Sequence, residues 1–328
     1  MSIVTTHATE VLYFGKLPSR GDFVRSAHHA SIIQSLDQWQ AQAMERLSAD
    51  PRWKLVYDRS PAVQFAILGL HSQVGLAGHW LASQDASGRR FPFITAGVFD
   101  VSDQLDFIQH GPVVLARLWA RLEQVARVAH AATDLAHAQA SLTTPIEGEL
   151  KTSGPRLELI DFLETHTVAS LEQMLAASGA RVSVRQTLLA LGILLQPVMA
   201  QGASKLHKGL RLPLAADAGL RWSVACFWLS LILGFFKRVN AELALFVTTH
   251  TTHPEMILCF QGASAASLCS VIDPEALQRD TVEVSQADWV EDCLEDDYGL
   301  RKLSNYLRDP ALSLAQALRT FEEIFLGA

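Results

Sequence analysis

The feature that most constrains the fold is a segment containing glycine and proline that directly follows an apolar, strand-like run. Residues 11–14 read Val-Leu-Tyr-Phe, and residues 15–25 read Gly-Lys-Leu-Pro-Ser-Arg-Gly-Asp-Phe-Val-Arg. A glycine just past a strand lets the chain turn sharply or lets another backbone approach closely. Pro18 favours a turn, Gly21 can adopt a positive φ, and the Asp22 carboxylate can accept hydrogen bonds from the N–H groups that follow it. The segment is therefore predicted to be a turn at the end of a strand, and this interpretation requires no ligand.

A site for phosphate or for an acidic partner is the alternative interpretation, because the segment carries three cations. The Gly-Lys pair at residues 15–16 lacks the G-x-x-x-x-G-K-[ST] spacing of a phosphate-binding loop, and no dinucleotide-binding fingerprint occurs. The Arg-Gly-Asp tripeptide at residues 20–22 is an adhesion motif elsewhere, a meaning that a cytoplasmic chain does not favour. Lys16, Arg20 and Arg25 are thus expected to be either solvated or paired with carboxylates.

The composition is that of a globular protein without a nucleic-acid partner. With 328 residues, 49% of them apolar, the chain can bury a sizeable core in one large domain or two ordinary ones. The net charge of −7 argues against general nucleic-acid binding, which usually requires a basic balance. The cysteines form no Cys-x-x-Cys pair, so free, mostly buried thiols in a reducing compartment are expected. They are Cys226, Cys259, Cys269 and Cys293.

A cytoplasmic location without stable membrane insertion is expected. Residues 1–7 show no positively charged region followed by an apolar one, so no secretory signal is visible. The longest uncharged apolar run, residues 222–236, is too short for a comfortable membrane span, which needs about 20 residues. This run is predicted to be a buried core helix.

The first hundred residues are predicted to form strands with one helix between them. Apolar residues recur at helical spacing over residues 31–48. Residues 83–90 have the chemistry of a loop that closes a hairpin, and Pro92 suits an edge position or the start of a strand. The predicted strands are residues 11–14, 53–57, 63–70, 75–81 and 91–99.

Beyond residue 100 the pattern is first helical and then mixed. Breakers within residues 143–155 mark the best candidate domain boundary. Asp309 is predicted to cap the closing helix, with Pro310 in its first turn. The other predicted helices are residues 111–140, 157–165, 168–177, 184–200 (with Pro197 able to kink it) and 222–239, and the predicted strands are 209–214, 243–248 and 255–260.

Two motifs in the first hundred residues give the chain a family resemblance. The first is Gly-Lys-Leu-Pro-Ser-Arg-Gly-Asp-Phe-Val at residues 15–24, and the second is Ser-x-Asp-x-x-Gly-Arg-x-Phe-Pro at residues 83–92. Trp39 and the strand at residues 63–66 agree with the pattern, although Gln64 stands where an aromatic residue is usual. Over roughly residues 10–130 the chain resembles the TagF family, also called ImpM, whose members are accessory proteins of the bacterial type VI secretion system.

The resemblance implies a fold and a domain organisation. The implied class is α/β (α+β), with a longin-like N-terminal domain built on a central, mostly antiparallel sheet. This domain is expected at residues 1–145, and a helical and mixed α/β C-terminal extension is expected at residues 146–328. The extension resembles the longer family members only loosely.

The resemblance also implies a function. Members of the family lack known catalytic activity and restrain secretion after translation, in some species by binding a forkhead-associated scaffold protein. A non-enzymatic repressor that binds this scaffold or other secretion components, without a cofactor or metal, is therefore expected. The alternatives are a structural assembly factor of the apparatus and an enzyme with an unrecognised site. No phosphatase signature is present, and the sequence predicts no oligomeric state.

The residues of the two motifs form the candidate site, with either a protein-binding or a structural role. If the motifs meet in space, their four cations and two carboxylates can form one hydrogen-bonded ion-pair cluster. We favour a cluster that stabilises the scaffold over one that faces a partner, so Asp22→Ala is expected to disturb folding. Because exposed ion pairs contribute only about 0–1 kcal/mol, this role requires partial burial. The candidate residues are Gly15, Lys16, Pro18, Arg20, Gly21, Asp22, Phe23, Arg25, Ser83, Asp85, Gly88, Arg89, Phe91 and Pro92.

A zinc site is conceivable in the last third of the chain. His250-x-x-His253 precedes Cys259 and Cys269, but this spacing suits no common zinc site. Alternate positions on a strand and in a loop explain the histidines more simply, and no metal is predicted.

Two further patterns have simple explanations. Ser83, His79 and Asp85 could in principle form a hydrolase triad, but no Gly-x-Ser-x-Gly elbow is present. The acidic run at residues 291–297 is interpreted as a solvated loop or helix face, with a docking surface for a basic partner as the alternative.

Overall fold

Nine strands of the described residues form a single sheet in a computed structural model of the chain. The structure describes residues 10–327 except 145, 147–149, 151–152, 178, 180, 250–252 and 296. The strand order is β2-β1-β5-β4-β3-β7-β8-β6-β9, and only the β6–β9 pair is parallel. The strands are β1 Leu12–Gly15, β2 Val24–Arg25, β3 Val63–Gly69, β4 Val74–Leu81, β5 Phe93–Asp100, β6 Gly209–Pro213, β7 Glu242–Thr248, β8 Glu255–Cys259 and β9 Thr281–Glu283.

Helices cover both faces of this sheet, which makes the fold mixed α/β, as predicted. The helices are α1 Ala30–Ser48, α2 Trp53–Asp58, α3 Gln104–Ala131, α4 Leu135–Leu142, α5 Ser153–Thr165, α6 Val168–Ala176, α7 Val184–Leu195, α8 Val198–Gln201, α9 Ala218–Leu233, α10 Ala265–Ile272, α11 Pro274–Asp280, α12 Val290–Cys293, α13 Tyr298–Tyr306 and α14 Leu314–Phe325.

Side chains that alternate between the two faces of the sheet divide the core into two main layers. On β3, Phe65 packs in one layer with the buried faces of α1 and α10, whereas Ala66 and Leu68 pack in the other with α3 and α9. Successive strand side chains point to opposite faces, so a strand that is apolar at nearly every position is buried on both sides. This arrangement explains why β3 and β7 are almost wholly buried.

The sheet is continuous between the first and second halves of the chain. Strand β3 pairs with β7 over six residue pairs, from Gln64 opposite Val247 to Gly69 opposite Glu242. The division at residues 145 and 146 stays a prediction, and any such division has to accommodate a sheet that crosses it.

The predicted strand at residues 53–57 is wrong, because these residues form helix α2. The run Trp-Lys-Leu-Val-Tyr is too short for its periodicity to separate a strand from a helix. Packing decides instead, since the fully buried Tyr57 ring lies edge-on to Trp80 on the neighbouring strand β4.

The long helix predicted at residues 111–140 is two helices. Helix α3 begins earlier, where the Asp103 side chain accepts a hydrogen bond from the N–H of Asp106, and ends at Ala131. The Asp134 side chain then caps α4 by accepting from the N–H of His137. Pro112 lies within α3, in its third turn, although the predicted helix begins only at residue 111.

Two other helix boundaries differ from the predictions. The closing helix α14 is capped by Ser313, whose side chain forms a reciprocal capping box with Gln316, and not by Asp309. The predicted helix at residues 184–200 stops at Leu195, and Pro197 stands just before the short helix α8. Proline cannot donate the backbone hydrogen bond that a continuous helix would need there.

The apolar run at residues 222–236 lies in a core helix, as predicted. Residues Ala218–Phe236 are long and apolar enough to cross a membrane, but 67% of the most apolar window is buried inside the protein. The helix begins at the Asp217 cap and packs against α3 across the centre of one layer. A helix that is apolar on all sides is expected in such a position.

Candidate protein-binding site

The two motifs meet in space around the buried carboxylate of Asp85. Its side chain is 0% exposed, and its Oδ2 lies 3.0 Å from Lys16 Nζ and 2.7 Å from Arg89 Nε. Its Oδ1 accepts hydrogen bonds from the Ser87 hydroxyl at 2.7 Å and from the N–H groups of Ser87 and Arg89, both at 3.0 Å. Both carboxylate oxygens are thus satisfied, as a buried charge requires.

The protonation behaviour of Asp85 follows from this environment. Burial alone would raise its pKa, but the hydrogen bonds from Ser87, Lys16 and Arg89 favour the charged form more strongly. The pKa of Asp85 is therefore held well below its usual range. The group is an anion at all physiological pH values, and the Lys16 and Arg89 side chains lie beside it.

Hydrogen bonds to backbone carbonyl groups also join the two motifs. The Ser83 hydroxyl donates to the Lys16 carbonyl at 2.6 Å, and the Ala86 N–H donates to the Arg20 carbonyl at 2.8 Å. The Arg89 guanidinium donates to the Gly21 carbonyl at 2.6 Å, so one arginine links the buried carboxylate to the outer turn. These contacts place both motifs in one rigid unit, which we call the signature cluster.

Gly15 and Gly88 are required by backbone geometry. Gly15 has φ +137°, and a Cβ atom there would lie 2.0 Å from the Pro92 carbonyl oxygen. Gly88 has φ +81° in the turn in which its N–H donates to the Asp85 carbonyl at 2.9 Å. Gly21 could adopt a positive φ, but in the structure it does not. Its carbonyl contributes instead, as the acceptor for Arg89.

Three phenylalanines cover the cluster on its outer side. Phe23 stacks on Phe14 with ring centroids 5.5 Å apart, and both rings meet Phe91 edge-on. Lys16 Nζ lies 5.1 Å from the centre of the Phe23 ring, a cation–π contact. Phe23 nevertheless leaves 40% of its surface exposed. An aromatic ring held by two others and still open to solvent is suited to contact a protein partner.

The remaining charges of the first motif lie outside the ion-pair cluster. Asp22 is exposed, and its carboxylate accepts a hydrogen bond from the N–H of Phe23 at 2.8 Å, as the sequence predicted. Within the described residues, neither Asp22 nor Arg20 forms an ion pair, so the cluster contains Lys16, Asp85 and Arg89 only. Arg25 is exposed on the edge strand β2. These three exposed side chains lie within three residues of Phe23 in the chain, and we call them the rim.

Helix α2 supports the cluster, and sequence reasoning missed this. The Tyr57 hydroxyl donates to the Ser83 carbonyl at 2.9 Å and accepts from the Ser83 N–H at 2.8 Å. Burial raises the pKa of Tyr57 well above its usual value, so its hydroxyl stays a neutral donor. Arg90 donates twice to the Asp58 carboxylate, at 2.7 Å each. The sequence offered one indication of this contact, because the hydroxyl of a buried tyrosine such as Tyr57 needs a hydrogen-bond partner.

The conceivable hydrolase triad is not assembled in the described residues. The Ser83 hydroxyl donates to a backbone carbonyl and not to a histidine, and the Asp85 carboxylate is bound by cations. His79 lies on β4 opposite Gln64 of β3. The departure at Gln64 is accommodated by a hydrogen bond to Glu123 on α3 at 3.3 Å.

The other sequence patterns also have structural roles. His250 lies outside the described residues, and no group of three or more potential ligands among the described residues is placed to hold a metal. Cys259 and Cys269 are free and buried, and burial raises the pKa of Cys269 to about 11. In the acidic run, Glu291 pairs with Arg185, while Asp297 caps α13.

Comparison with known families identifies the domain that carries the cluster. The model described as "TagF N-terminal domain, Type VI secretion system-associated" matches residues 13–144, which include both motifs. Residues 13–144 belong to the TagF family. The resemblance recognised in the two motifs is therefore confirmed, and the TagF domain is a type VI secretion system-associated domain.

Part of the chain is similar to a solved structure. It is the crystal structure of PA0076 from Pseudomonas aeruginosa PAO1, determined at 2.05 Å resolution. The two share 24% sequence identity with a TM-score of 0.35, over 43% of this chain and 66% of that chain. No curated protein matches the chain.

Proposed function

We propose that this protein is a cytoplasmic, non-enzymatic repressor of type VI secretion that acts by binding a forkhead-associated scaffold protein. The observation that carries the proposal is the TagF N-terminal domain, whose two motifs form one rigid cluster with an exposed aromatic ring. The polar groups of this cluster bind one another and leave no reactive group poised for catalysis. A role in protein binding is therefore favoured over an enzymatic one.

The proposed contact surface is the exposed rim of the signature cluster. Phe23 supplies the apolar centre, and Arg20, Asp22 and Arg25 surround it with charge. Interfaces commonly combine an aromatic anchor with arginines, and a rigid support lowers the entropic cost of binding. In this proposal Lys16 and Asp85 hold the surface in place, whereas the rim residues touch the partner.

The test is co-purification and titration of the full chain with the forkhead-associated protein of the same secretion gene cluster. Phe23→Ala is expected to weaken binding by about tenfold or more, because it removes the anchor. Tyr298→Ala is the matched control, since Tyr298 is an aromatic residue that is 75% exposed on α13. The melting temperature of each variant checks that the fold is retained.

Two results would contradict the proposal. Equal affinity of Phe23→Ala and the wild type for the forkhead-associated protein would show that Phe23 and the rim do not form the interface. Stable recovery of the protein in the assembled, sedimented apparatus would favour a structural assembly factor, because a regulator should bind its scaffold in solution and be absent from the finished machine.

A further inference from the structure

A large cavity lies away from the signature cluster, on the sheet face that carries α10 and α11. Its volume is about 1570 Å³, and it opens to solvent between helix α2, the α6–α7 region and the α10–α11 pair. Typical sites for small molecules have volumes of about 300–1,000 Å³. The described residues that line it come from both halves of the chain, so it depends on the complete fold. We call it the sheet-floor cavity.

The floor of this cavity carries four polar residues on adjacent strands. Thr248 on β7 is opposite Glu255 on β8, and Arg211 on β6 is opposite Glu283 on β9. Arg211 also pairs in register with Ile257, two residues beyond Glu255, so Arg211 and Glu255 are diagonal neighbours on one face. Of these four residues only Thr248 is fully buried, while Arg211, Glu255 and Glu283 are half-buried at the open end of the cavity.

The charges on this floor do not balance. Arg211 Nη2 lies 2.5 Å from Glu283 Oε2, which makes one close ion pair. The Glu255 carboxylate accepts no hydrogen bond from any residue that the structure describes, and only its backbone bonds to Thr248. One guanidinium therefore serves two carboxylates. Burial raises the pKa of Glu255, and the nearby Glu283 adds to this rise, which Arg211 and His253 oppose only in part.

The rim of the cavity does not supply the missing positive charge. Arg59, Arg181 and His253 line the cavity, but all three are exposed to solvent, and the carboxylates of Glu172 and Asp288 lie on the same rim. Water screens exposed charges, so they compensate the half-buried carboxylate of Glu255 only weakly. The uncompensated negative charge is at Glu255, at the base of the cavity.

We propose that the sheet-floor cavity binds a cationic group, an ammonium or a guanidinium, against the carboxylate of Glu255. Apolar walls from Val56, Val271 and Leu277 can contact the aliphatic stem that carries such a group. The size of the cavity favours a basic side chain on a polypeptide segment over a free cation. This proposal does not rest on the repressor function, because it involves none of the signature residues.

Isothermal titration calorimetry of the full chain tests the proposal with three probes. They are L-arginine, the blocked peptide acetyl-Gly-Gly-Arg-Gly-Gly-amide, and the same peptide with glutamine in place of arginine. We expect saturable binding of the arginine peptide, tighter than that of L-arginine, and none of the glutamine peptide. Binding of L-arginine as tightly as the peptide would assign a free cation as the ligand.

Variants test whether the Glu255 carboxylate binds the cationic group. Glu255→Gln keeps the shape of the side chain, and it is expected to weaken binding by about tenfold or more. Glu164→Gln, at an exposed position of α5, is the matched control and should bind as the wild type does. Leu55→Trp partly fills the cavity from an exposed position, so it tests the site without altering the floor.

Two outcomes would overturn the proposal. One is the absence of saturable binding of either arginine probe to the wild type at millimolar concentration. The other is unchanged affinity in both Glu255→Gln and Leu55→Trp. Neither outcome bears on binding of the forkhead-associated scaffold, so the two proposals can fail separately.

Discussion

Asp22 and Asp85 illustrate how two residues of one type can differ in role within a single cluster. Each is the carboxylate of one motif, and the sequence offered both as partners for the four cations. The structure buries Asp85 between Lys16 and Arg89 and leaves Asp22 in solvent. The structural role expected of Asp22 therefore belongs to Asp85, and Asp22→Ala is expected to leave the fold intact.

Replacement of Asp85 by asparagine tests this assignment. Asp85→Asn leaves the Lys16 ammonium, which belongs to a residue only 7% exposed, without its counterion. A buried charge without a partner is strongly unfavourable, so we expect the melting temperature to fall by about 3 °C or more. Asp22→Asn is the matched control and should lie within about 1 °C of the wild type. Similar melting temperatures for the two variants would contradict the buried ion-pair role.

The wild type and Asp85→Asn are also expected to differ in how their stability depends on pH. The folded-state pKa of Asp85 is lowered, so its contribution to stability is fully present above the unfolded-state value of about 4. The contribution is lost as pH falls through the folded-state pKa. The stability difference between the wild type and Asp85→Asn, measured by urea unfolding, should therefore shrink as pH falls below about 4.

Gly15 is the position where backbone geometry leaves no alternative. Its φ of +137° and the approach of the Pro92 carbonyl exclude a side chain. Gly15→Ala is expected to destabilise the fold by about 2 kcal/mol or more, measured by chemical denaturation. Gly21→Ala is the control, since nothing lies within 4 Å of a Cβ atom there. A neutral Gly15→Ala variant would show that the turn can rearrange.

At the scale of elements, a helix begins where a side chain can accept hydrogen bonds from its first free N–H groups. Asp309 precedes Pro310 and so appeared to be the cap of the closing helix. In the structure Asp309 instead accepts from the N–H of Ala311, and α14 begins four residues later at the Ser313 box. Both Asp309 and Ser313 are residue types that can cap a helix, and the packing of Leu314 and Phe321 into the core selects the start at Ser313.

Removal of the cap gives a measurable effect. Ser313→Ala loses the hydrogen bond from the N–H of Gln316 and the reciprocal bond becomes unsupported. The expected cost is about 1 kcal/mol in the free energy of unfolding. Arg319→Ala, on the exposed side of the same helix, should cost less than about 0.5 kcal/mol. An Asp309→Ala variant with a larger effect than Ser313→Ala would return the cap to Asp309.

At the scale of the whole molecule, the pairing of β3 with β7 joins the two halves of the chain. Without residues beyond 145, β3 would lose a partner strand and expose the backbone between Gln64 and Gly69. Helix α3 would also lose α9, against which it packs. An apolar, unpaired edge strand promotes aggregation.

The fragment of residues 1–145 tests how far the TagF domain is an independent unit. We expect it to be largely aggregated, or to melt without a cooperative transition, whereas the full chain gives one. Size-exclusion chromatography and thermal circular dichroism provide the measurement. A soluble, cooperatively folding fragment would support the predicted boundary at residue 145 and make β7 an accessory strand.

Much of the local structure could be predicted from the sequence, and so could the family. Helical periodicity predicted α1 to within a residue, and the glycine after an apolar run predicted the close approach of another backbone at Gly15, because both signals lie within a few neighbouring residues. The two motifs were enough to recognise a TagF domain.

Only the tertiary structure decided which residues of those motifs are buried and which face outward. It made residues 53–58 a helix, chose Asp85 over Asp22, joined β3 to β7, and brought Glu255 beside Arg211 at the base of a cavity. Each of these outcomes depends on contacts between residues far apart in the chain. Local propensity differs by only about 1 kcal/mol between the competing states, so burial and pairing at long range determine the result.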